Sequence, residues 1–273
     1  KSFNDLGAIK VYLEREHNPY VEAFWKWWPD LYKDLKVFRI TGGEPLLSKH
    51  TFSVLDWIIK NPNPELELNM NSNLSIPDEV FNKLIEKVFY IQQKGLVKSF
   101  KLYTSCEAHG KRAEYIRFGL NYDRWLNNCK KFVDSLPDAN LTVMSAYNVL
   151  GVTSFLEFAQ DIKALKDATH GRVSIDVPFL RNPDFLSVFI LTDDLIDIVG
   201  THVEYFEKNF SPYEINRMKK VYSVAKNSSI PNKRVARIDF CKYVGEHDRR
   251  RGTDFFNTFP ELEDFYYTCM KPS

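Results

Sequence analysis

The chain predicts an α/β fold built on a parallel sheet, and three observations carry that reading. Short runs rich in Val, Ile, Leu and Phe recur five times between residues 36 and 190. Stretches with helical spacing of apolar residues separate them, and this βαβα order calls for parallel strands joined by crossovers. The runs are apolar enough to be strands whose outer face is covered by helices. Strands are expected at 37–41, 66–70, 99–104, 141–146 and 172–177. Helices are expected between them at 51–59, 78–93, 122–135 and 153–165. Asp78, after Ile76 and Pro77, makes a good helix start, and Thr153 is placed to cap the helix that follows it. Ahead of the first strand, residues 20–28 have helical spacing, and Pro29 is expected to end that helix. Its tryptophans read as packing groups. After Pro178 the character changes: helices are expected at 192–209, 213–227 and 239–248, with residues 228–232 as a loop. The chain thus divides into an aromatic-rich helical segment (1–35), a strand–helix region (36–190) and a helical C-terminal extension (191–273).

Composition narrows the function classes. The 273 residues carry a net charge of +1, so no strong field points to nucleic acid or to an anionic membrane. The run Arg249-Arg250-Arg251 reads as a solvated face or as ion pairs within the segment Glu246–Arg251, with binding of an anionic substrate as the disfavoured alternative. The four cysteines, Cys106, Cys129, Cys241 and Cys269, form no Cys-x-x-Cys pair, which argues against a zinc ribbon and a disulfide scaffold. A reduced, cytoplasmic setting is the expectation. No apolar run is long enough to span a bilayer. His109 and His247 lack metal-ligand spacing, and Cys241 with Cys269 are too few for a cluster.

The chemistry is concentrated in Lys36-Val37-Phe38-Arg39-Ile40-Thr41-Gly42-Gly43-Glu44-Pro45-Leu46-Leu47. A short strand runs straight into a Gly-Gly-Glu-Pro turn. Two glycines at a strand end let the backbone approach a ligand and leave amide and carbonyl groups aimed at it. A fixed carboxylate beside them suits a cation such as an α-ammonium group. An ordinary strand-to-helix turn is the alternative for a bare Gly-Gly pair. Parallel α/β sheets bind ligands at the carboxyl ends of their strands. The other ends here offer Asn71, Ser72 and Asn73; Thr104, Ser105, Cys106 and Glu107; Tyr147 and Asn148; and Asp176, Pro178, Leu180 and Arg181. A phosphate-binding turn is disfavoured, because no Gly-rich loop is followed by Lys-Ser or Lys-Thr.

The Gly-Gly-Glu-Pro string resembles the methionine-binding motif of the radical S-adenosylmethionine enzymes. Two further segments, Asn18-Pro19-Tyr20-Val21-Glu22-Ala23-Phe24-Trp25-Lys26-Trp27-Trp28 and Glu246-His247-Asp248-Arg249-Arg250-Arg251-Gly252-Thr253, are similar to the twitch-domain-containing members. The resemblance extends over nearly the whole chain. It implies a partial (β/α)6 TIM-like barrel, here without its first strand. It also implies a 4Fe–4S cluster held by Cys-x-x-x-Cys-x-x-Cys. That motif is absent from these residues, so its ligands are expected upstream of Lys1. The implied activity is reductive cleavage of S-adenosylmethionine to a 5′-deoxyadenosyl radical, which abstracts hydrogen from an unidentified substrate, with an electron donor such as a flavodoxin or ferredoxin. Carried onto this sequence, Gly42, Gly43, Glu44 and Pro45 match the turn that holds the methionyl amine. Ser72 and Asn73 match the second strand end, and Ser105 and Glu107 the region that meets the ribose hydroxyls. Arg117, in Tyr115-Ile116-Arg117-Phe118-Gly119, is a candidate for the cofactor carboxylate or else a surface arginine on a helix. Asn148 is a further candidate, and Leu180 matches a place where backbone meets adenine. The rival from another class is a non-catalytic nucleoside-binding protein on the same barrel.

Overall fold

Five strands pair in parallel in the order in which the chain makes them. They are β1 (Val37–Ile40), β2 (Asn63–Asn71), β3 (Val97–Ser105), β4 (Asn140–Met144) and β5 (Val173–Asp176). The computed structural model describes residues 17–227, 230 and 232–271. The expectations for residues 1–16 and for Ser228, Ser229 and Pro231 of the loop lie outside these. Helix α1 (Pro19–Asp34) precedes the sheet. The crossovers are made by α2 (Lys49–Lys60), α3 (Asp78–Gln93), α4 (Gly110–Ile116) with α5 (Tyr122–Ser135), and α6 (Phe155–Ala168). Sequential strand order with crossovers of one hand places these helices on one face of the sheet.

The period-2 alternation of the strands separates the two faces. The helix-covered face is a row of fully buried apolar side chains: Leu66, Leu68 and Met70 of β2, Phe100 and Leu102 of β3, Leu141 and Val143 of β4, Val173 and Ile175 of β5. Register aligns Leu68 with Phe100, Leu102 with Leu141, and Leu141 with Val173. The opposite face is polar. Arg39 lies beside Asn69 and Asn69 beside Lys101. One layer up, Asn71, Tyr103, Thr142 and Ser174 form a continuous row.

Two expectations fail on tertiary grounds. Helix α1 does not stop at Pro29 but runs through it to Asp34, started by Asn18, whose side chain accepts from the N–H groups of Tyr20 and Val21. An interior proline costs about 3 kcal/mol. The turn beyond it buries Tyr32, edge-on to Trp57 at 6.4 Å, and Trp28 sits 4.8 Å from Phe38. Burial of an aromatic of this size is worth about 1.5–3 kcal/mol each, enough to offset the proline. Thr153 does not cap α6. It lies in a 3-10 turn, Val152–Ser154, and its hydroxyl donates instead to Glu261 at 2.5 Å.

The C-terminal extension is helical, as the pattern indicates. It contains α7 (Asp193–Asn209), α8 (Pro212–Asn227), α9 (Lys233–Arg251), α10 (Phe255–Thr258) and α11 (Glu263–Met270). The helix read at 239–248 is the middle of the longer α9, which ends at Gly252 in the left-handed region (φ 65°). Helices α7 and α8 form an antiparallel-type pair whose second member borders β5, while α9 packs on the Asp184–Leu186 turn that follows β5. No described helix is long and apolar enough to cross a membrane.

Candidate functional site

The turn after β1 is open. Gly42 has φ 147°, a conformation that side chains rarely adopt. A Cβ added at Gly42 or at Gly43 would meet nothing within 4 Å. Neither glycine hydrogen-bonds through its backbone among the described residues. Packing therefore does not demand glycine at position 43, and the amide and carbonyl groups of both residues remain for something outside the chain. Below the turn lies a cavity of about 320 Å³, lined among others by Phe24, Ile40, Glu44 and His50. His50, in its wall, accepts at Nδ1 from Trp25 Nε1 at 3.1 Å.

Glu44 is a structural clamp. One carboxylate oxygen accepts from the N–H of Leu46 at 3.1 Å and starts the 3-10 turn Pro45–Leu47. The other accepts from the N–H of Asn73 at 2.7 Å and ties the first strand end to the second. Pro45 is buried, and its carbonyl accepts from Thr51 at 2.6 Å, docking the turn on α2. Ser72 is also buried; its hydroxyl accepts from Leu74 N–H, and its own N–H donates to Tyr103. Asn73 accepts from Ser75 N–H at 2.8 Å and is exposed. The loop is thereby fixed with Leu74 at φ 53°. The remaining ends are laced in the same manner: Cys106 N–H to Met144, Ser145 N–H to Asp176, Tyr147 N–H to Pro178, and Leu180 N–H to Tyr147 at 2.9 Å. Asn148, buried, donates to Ala146 and accepts from Leu150, so it stiffens its own loop. Five strand ends thus form one connected rim.

Glu107 and Arg117 face each other rather than the rim. Arg117 Nε donates to Glu107 Oε2 at 2.6 Å, and Nη2 donates to Oε1. Glu107 is 4% exposed. Burial alone would lower the Arg117 guanidinium, but the Glu107 carboxylate lifts it above its usual range. Arg117 is half-buried and spends Nε and Nη2 on Glu107, and both carboxylate oxygens of Glu107 accept from it. The backbone of the same loop is pressed from behind: a Cβ on Gly151 would stand 2.6 Å from the Glu107 carbonyl oxygen. Ser105 is different. It is half-buried at the end of β3, and its hydroxyl has no partner among the described residues.

The donor set for iron does not fit. No group of three His, Cys, Asp or Glu side chains is placed to hold a metal among the described residues. All four cysteines are buried, and none lines the cavity at the Gly-Gly turn. Burial pushes the Cys106 thiol up to about 12, and its sulfur donates to the carbonyl of Ala108 at 3.4 Å. The Cys241 sulfur donates to the carbonyl of Tyr266 at 3.6 Å, and the nearness of the two thiols lowers Cys241 and raises Cys269. The tail motif packs beside the third strand end. His247 stacks on Tyr115 at 4.3 Å, Arg251 lies 4.5 Å over the Phe118 ring, and Glu246 pairs with Arg249 and Arg250.

Reading only strand ends missed the polar face below the rim. A cavity of about 650 Å³ opens there, and Arg39, Lys101, Tyr103, Thr142, Ser174 and Asp176 are part of its lining. The signal was present in the sequence as one charge in each of two otherwise uncharged runs, Arg39 in 37–41 and Lys101 in 99–104, each flanked on both sides by apolar residues. Compared with known proteins, the chain matches no family model, no curated protein and no solved structure.

Proposed function

We propose that this chain is the cofactor-holding part of a radical S-adenosylmethionine enzyme, its parallel sheet forming part of a (β/α)6 barrel. The observation that carries the reading is the pair Gly42 and Gly43, whose backbone groups are unpartnered and open at a strand end. An α-ammonium group of the cofactor would meet their carbonyls. Glu44 holds the turn in shape and adds negative charge beside it, its two oxygens being engaged by Leu46 and Asn73. The Ser105 hydroxyl is free to accept or donate to a ribose. Leu180 has spent its N–H on Tyr147, which leaves its carbonyl for an adenine amine. When bound, S-adenosylmethionine supplies one-electron hydrogen abstraction, and the protein orients it and excludes water. The four cysteines do not form an iron site, so this reading requires cluster ligands from outside the 273 residues, and an electron donor.

The test is calorimetric titration of the chain with S-adenosylmethionine. Binding is expected in the native protein and is expected to vanish in Gly43→Val, with the melting temperature unchanged because no protein atom stands near that position. Absence of binding in the native protein removes the reading. If binding is seen, anaerobic reconstitution of the whole gene product with iron and sulfide separates the enzyme from a nucleoside-binding protein. Formation of 5′-deoxyadenosine marks the enzyme.

A further inference from the structure

The polar face of the sheet carries two cations, Arg39 and Lys101, that form no ion pair among the described residues; Glu67, whose carboxyl is lowered chiefly by Lys98 and least by Lys101, is paired with Lys98 at 2.7 Å. Five charged side chains line the cavity of about 650 Å³: Arg39, Lys101, Lys166, Asp176 and Glu214. Glu214 pairs with Lys166, and Asp176 accepts from Arg217 at 2.6 Å. Among the described residues Arg39 and Lys101 have no carboxylate within 4 Å. Both converge on one ring. The Arg39 guanidinium lies 4.0 Å from the Tyr103 centroid and the Lys101 ammonium 6.0 Å from it, so the two cations stand within about 10 Å of each other. Arg39 is held in place by its Nε donating to Asn71 at 2.8 Å, which leaves its outer N–H groups unspent. On β4 and β5, Thr142 and Ser174 share a hydrogen bond at 3.0 Å, and one of the two hydroxyls therefore keeps a free donor.

We propose that this face binds a phosphorylated small molecule, its phosphate oxygens between Arg39 and Lys101. The cavity has the size of small-molecule sites. A planar fork and a point charge together suit a phosphate group, and a phosphate carries close to the two negative charges needed to neutralise both. A single carboxylate would leave one cation bare. The ligand is substrate only if the turn at Gly42 and Gly43 takes the cofactor, whereas its binding is independent of that turn.

Calorimetric titration with inorganic pyrophosphate at low ionic strength tests this, with malonate as the carboxylate comparison. Native protein is expected to bind pyrophosphate at least tenfold more tightly than malonate. The double variant Arg39→Gln, Lys101→Gln is expected to lose at least tenfold in affinity, and Lys101→Glu alone, a change at the surface of one strand, is expected to lose binding with the fold intact by circular dichroism. Lys131→Gln on the outer helix α5 is expected to change nothing. Pyrophosphate affinity equal in native protein and in Lys101→Glu, no pyrophosphate binding at all, or malonate binding as tightly would each overturn the proposal. Gly43→Val should keep pyrophosphate binding, so failure at this face and failure at the cofactor turn are read separately.

Discussion

Glu107 shows how differently one residue reads in sequence and in space. In the sequence it is a carboxylate just past a strand end, where a ribose would sit. In the fold it is buried and gripped by the guanidinium of Arg117. A pair ten residues apart can be made only because α4 turns the chain back on itself. Removing one partner from such a pair leaves a buried charge. Arg117→Met is expected to cost about 3 kcal/mol, somewhat less than a fully enclosed pair because Arg117 is one-third exposed. The double variant Glu107→Gln, Arg117→Met is expected to recover most of the loss in urea denaturation, because no unpaired charge remains. If S-adenosylmethionine affinity, once established, falls in step with stability in the single variant and returns in the double, the pair acts by holding the loop.

At the scale of elements, β5 is the instructive case. It pairs with β4 alone in the sheet, so its outer side presents unpaired backbone groups. Helix α8 supplies the cover through one side chain. Glu214, 1% exposed, accepts from Ile175 N–H at 3.1 Å, from Ser211 N–H at 2.8 Å and from Lys166. Burial works against its charge, but those hydrogen bonds hold its carboxyl below the usual range. Glu214→Ala is expected to destabilise by about 3–5 kcal/mol, because it orphans a buried N–H and a half-buried ammonium together. Glu214→Gln, which keeps an acceptor for Ile175, is expected to lose less. Thermal denaturation of the two variants checks the order, and equal losses would assign the stabilisation to charge alone. Helix α1 makes the complementary point: Pro29 is a breaker by local rules, and the packing of Trp28 and Tyr32 overrides it.

At the scale of the whole molecule, His202 couples the extension to the sheet. It lies on α7, 2% exposed, with Nδ1 2.9 Å from the hydroxyl of Tyr147, which follows β4. Burial pushes its pKa down to about 4 and the Tyr147 hydroxyl well up, so the tyrosine donates and the imidazole stays neutral. The unfolded chain takes up this proton near pH 6.5 and the folded chain only near 4. Stability is therefore full above pH 6.5, falls as the pH drops towards 4, and loses about 3 kcal/mol from this group across that window. Urea midpoints measured from pH 7.5 to 4 should show the slope, and His202→Asn should flatten it by one proton.

By itself the sequence determined the order and kind of the elements. Helices at Asp78–Gln93 and Tyr122–Ser135 were legible to the residue, and all five strands were legible in place, because hydrophobic period and capping are local properties of consecutive residues. It also marked Gly42 and Gly43, whose openness needs only the absence of side chains. The tertiary structure alone decided what each polar group at the rim is bonded to. Whether Glu44 clamps Asn73, Glu107 meets Arg117, or Arg39 and Lys101 share the ring of Tyr103 depends on strands brought side by side. Hydrogen bonds and ion pairs act over a few ångströms in space and take no account of distance along the chain, so no period in the sequence records them.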